Sequence, residues 1–145
     1  MPEATKRETL DDGSLRLSSP RCSFLFHRAA PSVLKVTITG RDTGQFGPSV
    51  FEEIRFHLGG ARRLELFVDA SAAAGPTSDV SDAWTRFLGR EAGHLTRVSI
   101  LAASKFVHQT VSVAKLFSRT GELIQIYSDP AVFQAALERA TGGKR

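Results

Sequence analysis

Residues 63–88 read RLELFVDASAAAGPTSDVSDAWTRFL, and this stretch decides the fold class. Arg63 to Ala70 (RLELFVDA) is short and apolar enough through its middle to be a central strand. Further on, Val80, Trp84, Phe87 and Leu88 recur at the spacing of one buried helix face. Between them, Ser71-Ala-Ala-Ala-Gly75-Pro76-Thr77-Ser78-Asp79 supplies tight-turn residues followed by candidate N-caps. A strand, a turn and an amphipathic helix in that order form one unit of a layered α/β sheet.

The same alternation extends in both directions. Upstream, Cys22 to Arg28 (CSFLFHR) and Val33 to Thr39 (VLKVTIT) are β-branched or aromatic runs separated by AAPS, the pattern of a hairpin. Gly47-Pro48-Ser49 then opens a helix whose Val50, Phe51, Ile54 and Leu58 fall within an arc of about 100°. Gly59-Gly60 stops it. Downstream, Gly93 ends the central helix, and Leu95 to Ala102 (LTRVSILA) is a strand. Ser104 is a plausible N-cap for a helix from Lys105 to Arg119, closed by Gly121. Glu122 to Tyr127 (ELIQIY) is the last strand. Asp129-Pro130 then caps and opens a helix expected to bury Val132, Phe133, Ala136 and Ala140.

The expected fold is therefore α/β: a single mixed, mostly parallel β-sheet with amphipathic helices, in the order ββαβαβαβα. Residues 1–20 are polar, mixed in charge and without apolar periodicity, and read as a flexible arm. Residues 21–141 form the domain, and 142–145 a tail. The 145 residues suit one core and not two.

Composition excludes several classes of function. No stretch free of Asp, Glu, Lys and Arg is longer than nine residues, and residues 66–78 are interrupted by Asp69 and Gly75, so none is long enough to span a bilayer. MPEATKRETLDDGSLRLSS has no apolar signal region, so a cytoplasmic location is expected. A lone Cys22 makes neither an internal disulfide nor a cysteine zinc site, and its place at the start of a strand suits packing rather than thiolate chemistry. His27, His57, His94 and His108 have no ligand-spaced partner, and read as surface or satisfied histidines. No nucleophile elbow, P-loop or dinucleotide fingerprint occurs. Gly40 to Gly47 follows a strand and precedes a helix, but its glycine spacing suits a connection needing positive φ rather than a phosphate cradle. No cofactor, metal or catalytic residue is expected.

Three features carry functional meaning. The first is the loop from Asp69 to Asp79, where Ser71, Thr77, Ser78 and Asp79 sit at the end of a strand and the start of a helix, a common place for ligands or phosphate. Phosphorylation there would add about 1.5 to 2 negative charges. The alternative is that Thr77 or Ser78 only caps the helix while Asp79 complements its dipole. The second is charge. Between Glu91 and Glu122 no acidic residue occurs, whereas Arg97, Lys105, Lys115 and Arg119 equal the whole net charge of +4. Lys105, His108, Lys115 and Arg119 share an arc of about 80° on their expected helix. That stripe would suit an acidic protein or anionic lipid, or be a solvated face; lacking interleaved aromatics, it is poor evidence for nucleic acid. The third is Phe56 and Leu116, apolar residues on the polar sides of their helices, either incidental or contacts for a partner.

With VTITG (36–40), LELFVDAS (64–71), DAWTRFLG (82–89), RVSILAAS (97–104), VSVAKLF (111–117) and YSDPAVFQAAL (127–137) in this order, the chain resembles the STAS family. These are the sulfate-transporter and anti-sigma-factor-antagonist domains, and the likeness is greater to the SpoIIAA-like branch, whose fold is related to the CRAL-TRIO lipid-transfer domains. It covers about residues 22 to 140. The resemblance implies a regulatory module that binds a protein partner. Antagonists in the family carry a phosphorylatable D-[ST]-[ST]-G segment at the start of the second helix. Here Ala72-Ala-Ala-Gly-Pro-Thr77-Ser78-Asp79 stands there instead, so Thr77 and Ser78 match by position and not by motif.

The expectation is thus a non-catalytic cytoplasmic module that binds a protein through the loop after the third predicted strand, the basic helix, or both. The alternative is a module for a small apolar ligand or anionic lipid, with peripheral membrane contact. An exposed sheet edge is also compatible with a homodimer.

Overall fold

The computed structural model describes residues 4–59, 63–74, 77–102 and 123–142. Seven strands form one sheet: β1 (Lys6–Thr9), β2 (Leu15–Ser19), β3 (Cys22–Ala30), β4 (Val33–Gly40), β5 (Leu64–Ala73), β6 (Leu95–Leu101) and β7 (Ile124–Tyr127). They lie in the order β1-β2-β3-β4-β5-β6-β7. The first four are antiparallel and the rest parallel. Three helices accompany them among the described residues: α1 (Ser49–Gly59), α2 (Ser78–Glu91) and α3 (Pro130–Thr141). The fold class is the mixed α/β sheet that the sequence pattern leads to. The helix expected at Lys105 to Arg119 lies outside the described residues.

The N-terminal arm is the main difference. Residues 6–9 and 15–19 are paired strands, so two strands precede the expected hairpin. Gly13 turns the chain at φ +87, with its N–H donating to the Leu10 carbonyl at 2.9 Å. Asp12 Oδ1 accepts from the Ser14 N–H at 2.9 Å, which lowers the Asp12 pKa. Leu15 and Leu17 then enter the core while Arg16 and Ser18 occupy the other face. Asp-Gly followed by the alternating LRLSS was the available signal.

The sheet has two unlike faces. On one, Phe24 and Phe26 of β3, Leu34 and Val36 of β4, Leu64, Leu66 and Val68 of β5, and Val98 and Ile100 of β6 form a continuous apolar layer. Helices α1 and α2 cover it with Val50, Ile54, Leu58, Phe87 and Leu88. Right-handed crossovers between neighbouring parallel strands put consecutive helices on the same side, as seen for these two. Phe51 of α1 joins them by lying 4.9 Å from Phe87 and 5.1 Å from Trp84, centroid to centroid.

The second face has a smaller cluster, Val33, Phe67, Leu101, Phe133, Ala136 and Leu137, under α3. Asp129 caps that helix by accepting from the Ala131 N–H at 2.9 Å, with Pro130 in the first turn. Phe133 and Ala136 are buried as expected, and Leu137 joins them. Val132 is not buried but 50% exposed. The stripe is centred on Phe133, Ala136, Leu137 and Ala140, and Val132 lies about 90° from that centre at the helical angle per residue.

Candidate functional site

Strand β5 runs through the middle of the parallel half and is longer than the pattern suggested, ending at Ala73. Ser71 therefore lies in the strand, not in the loop at the helix end. Both its backbone N–H, at 3.0 Å, and its hydroxyl, at 2.6 Å, donate to Asp69 Oδ1. Ser71 is exposed and Asp69 half-buried. The chain then passes to α2, where Thr77 is the N-cap, accepting from the Val80 N–H at 3.4 Å. Asp79 follows in the first turn, exposed, where its charge complements the helix dipole. Ser78 is the first residue of α2.

The connection from β4 to α1 lies beside this loop, because parallel neighbours bring their carboxyl ends to the same edge of the sheet. The Ala74 N–H donates to the Gly40 carbonyl at 2.9 Å, and the Thr77 N–H to the Asp42 carbonyl at 3.4 Å. Gly40, Gly44 and Gly47 all have positive φ, the role the sequence suggested for them. At Gly40 the requirement is twofold: φ is +79, and a Cβ would lie 1.9 Å from the Arg21 carbonyl oxygen. Phe46 anchors the loop by packing edge-on against Phe24 at 5.5 Å. Asp42 Oδ1 accepts from the Gly44 N–H at 2.9 Å. Burial raises the Asp42 pKa, and the Gly44 bond opposes the shift.

Asp42 thus joins Thr77 and Asp79 at one end of the sheet, which sequence spacing did not reveal. Residues 42 and 77 meet only through the parallel pairing of β4 with β5. The available signal was the Gly-rich segment after VTITG. Chemically, this edge offers two carboxylates, hydroxyls and a helix N-terminus. Among the described residues no group of three His, Cys, Asp or Glu side chains gathers as a metal site would require.

The remaining sequence candidates are dispersed. Phe56 lies on α1 with 73% of its surface exposed. Lys105, His108, Lys115, Leu116 and Arg119 lie outside the described residues. Cys22 is buried in the main core. Of the histidines, His27 Nδ1 meets the buried Ser14 hydroxyl at 3.0 Å, and His94 Nδ1 lies 3.3 Å from Glu91 Oε1.

His57 is less simple than a surface histidine. Its Nε2 lies 3.3 Å from Glu53 Oε2, while Arg28 donates to its backbone carbonyl at 2.9 Å. Glu53 also meets Arg7 of β1 at 3.7 Å. His57 Nδ1 and Arg28 Nε are buried without a hydrogen-bond partner. Burial lowers the His57 pKa, Arg28 adds to the shift, and Glu53 opposes it.

A mixed sheet of this kind, helix-covered on one face and closed by a C-terminal helix on the other, is the SpoIIAA-like fold. The chain is similar to an anti-sigma factor antagonist from Mycobacterium paratuberculosis, with a TM-score of 0.59 and 15% identity over 83% of this chain and 98% of that one. A SpoIIAA-like protein from Shewanella loihica gives a TM-score of 0.59 and 14% identity, covering 81% and 94% of the two chains. SpoIIAA itself, in its unphosphorylated form, gives 0.54 and 12%, covering 82% and 96%. No protein-family model matches the sequence, and no curated protein matches it. Among the described residues no helix is long and apolar enough to cross a membrane.

Proposed function

We propose that the chain is a non-catalytic regulatory module, acting in the cytoplasm, that binds a protein partner at the carboxyl ends of its parallel strands. The carrying observation is the single polar edge formed by Asp42, Thr77 and Asp79, where two loops are held together by backbone hydrogen bonds. Its likeness in fold to two anti-sigma factor antagonists supports a partner of the anti-sigma class. Thr77 is engaged as an N-cap, so a phosphate there would displace the Val80 bond and set negative charge beside Asp79. That would weaken docking. The basic residues Lys105, His108, Lys115 and Arg119 follow the next parallel strand in sequence and are proposed to extend the surface.

The test is affinity capture with the intact chain as bait, comparing the native protein with Asp79→Lys, Thr77→Glu and the pair Lys115→Glu/Arg119→Glu. A specific protein whose recovery falls several-fold with the loop variants, while thermal unfolding stays cooperative, supports the reading. Equal recovery by every variant overturns it. Flotation with anionic vesicles that fades at high salt would favour the lipid reading instead.

A further inference from the structure

One edge of the sheet is β1, and its hydrogen-bonding phase follows from the register. Lys6, Arg7, Glu8 and Thr9 lie opposite Ser18, Leu17, Arg16 and Leu15. The next pair, Leu10 with Ser14, is hydrogen-bonded, since the Leu10 N–H donates to the Ser14 carbonyl at 2.8 Å. Antiparallel pairs alternate, so Glu8 and Lys6 also bond to β2, while the backbone groups of Arg7 and Thr9 point away from the sheet. Thr5 continues that outward row. No strand lies beyond β1 among the described residues.

Charged residues on an edge usually oppose pairing. Here their order does the reverse for one occupant, a second copy of the same chain. An antiparallel pair related by a two-fold axis at Arg7 matches the outward rows and sets Lys6 of each copy against Glu8 of the other. Sliding it by two residues, the next arrangement that matches outward groups, sets Lys6 against Lys6 or Glu8 against Glu8. The charges therefore select one register. The central Arg7 residues do meet each other, but each has Glu53 of α1 at 3.7 Å, with the Glu53 side chain only 11% exposed.

A second observation concerns α1. Phe56 is the most exposed large apolar residue described. At the helical angle per residue it lies about 60° from Glu53, which reaches β1, and about 100° from Arg55, which reaches Glu91 of α2. It therefore points mainly away from the sheet, about 20° toward the Glu53 side of α1. An edge pairing with the two-fold axis perpendicular to the sheet puts both α1 helices on one face of the joined sheet.

We propose that the protein forms a symmetric homodimer by antiparallel pairing of β1 with β1 about Arg7, joining two sheets into one, with Lys6–Glu8 pairs on one face and the α1 helices on the other. About six backbone hydrogen bonds would form. This interface uses a different element, β1, from the two loops proposed for the partner.

The test is light scattering with sedimentation from low to several hundred micromolar protein. The native chain is expected to approach twice its monomer mass. Thr9→Pro removes an outward N–H that the monomer does not use and is expected to weaken association at least tenfold. Lys6→Glu does so by setting a glutamate against Glu8 of the other copy, without touching the Glu8–Arg16 pair at 3.7 Å within each chain, and Lys6→Glu/Glu8→Lys, which restores opposite charges across the two-fold, returns it. Native protein that stays monomeric throughout overturns the proposal. So does a dimer unaffected by both Lys6→Glu and Thr9→Pro. A failed partner capture would leave this measurement untouched.

Discussion

The two faces of the sheet are stabilised differently. Under α1 and α2, side chains from β2 through β7 meet in one apolar layer, and Phe24, Phe87 and Ile54 are fully buried within it. Opposite, α3 covers a patch around Phe67 and Phe133, while Lys35, Thr37, Glu65 and Asp69 on the same side of β4 and β5 are only half-buried. Burial raises the Glu65 pKa and Arg97 opposes that shift, so even the charged residues there are partly withdrawn from water. One face carries the main apolar layer; the other keeps polar and charged side chains half-buried beside a smaller cluster. Regions of a domain that bind partners come from its less tightly packed parts.

The difference predicts a ranking. Phe24→Ala, in the main layer, is expected to destabilise by about 4 to 5 kcal/mol, and Phe133→Ala, in the smaller cluster under α3, by about 3 kcal/mol, because fewer buried neighbours surround it. Chemical denaturation gives both values. A larger loss at Phe133 would break the comparison.

Next is Gly40→Ala, at the junction between the main layer and the candidate edge. A positive φ and a backbone oxygen 1.9 Å from the new Cβ put the loss at about 2 to 4 kcal/mol. A stability change within experimental error would show that Gly40 is not the constraint that sets the loop. Thr77→Ala removes only an N-cap bond and is expected to cost about 1 kcal/mol. A Thr77→Asn control, which can cap, should recover most of it. Equal losses from both would mean that the hydroxyl does something other than capping.

The smallest effect is a pH slope. His57 has a lowered pKa in the folded chain, so its contribution is fully present above the unfolded value of 6.5 and is lost as pH falls toward the folded value. His57→Gln is expected to flatten the fall in melting temperature between about pH 7 and pH 5. An unchanged slope would place the pH dependence in another group. The other charges facing His57 are Glu53 and Arg28, with Arg7 beyond Glu53.

Much of this architecture was legible from local patterns. Thr77 and Asp129 are N-caps where the chain has a short polar acceptor before an apolar stripe, and Val80, Phe87 and Leu88 are buried on one helix face. Such signals act within one turn, so a sequence displays them directly. Strand β1 was missed because KRET has no apolar residue to show an alternation; its strand state depends on pairing with β2, whose own alternation in LRLSS was visible. Val132 was missed for a different reason. A helix shows its stripe in sequence, but the centre of that stripe is set by the partner, here Phe67 and Leu101.

The candidate edge was legible only in part. Thr77 and Asp79 follow from the loop composition, whereas Asp42 enters through the pairing of β4 with β5 and Ser71 leaves the loop because β5 continues to Ala73. The sequence by itself determined the alternation of strands and helices, the caps and the identity of most core residues, because these depend on periodicity and on contacts a few residues apart. Only the tertiary structure decided that the first residues extend the sheet, that Glu53 links Arg7 to His57, and that loops thirty-five residues apart share one edge. Those facts depend on which strand lies beside which, and no local spacing encodes that choice.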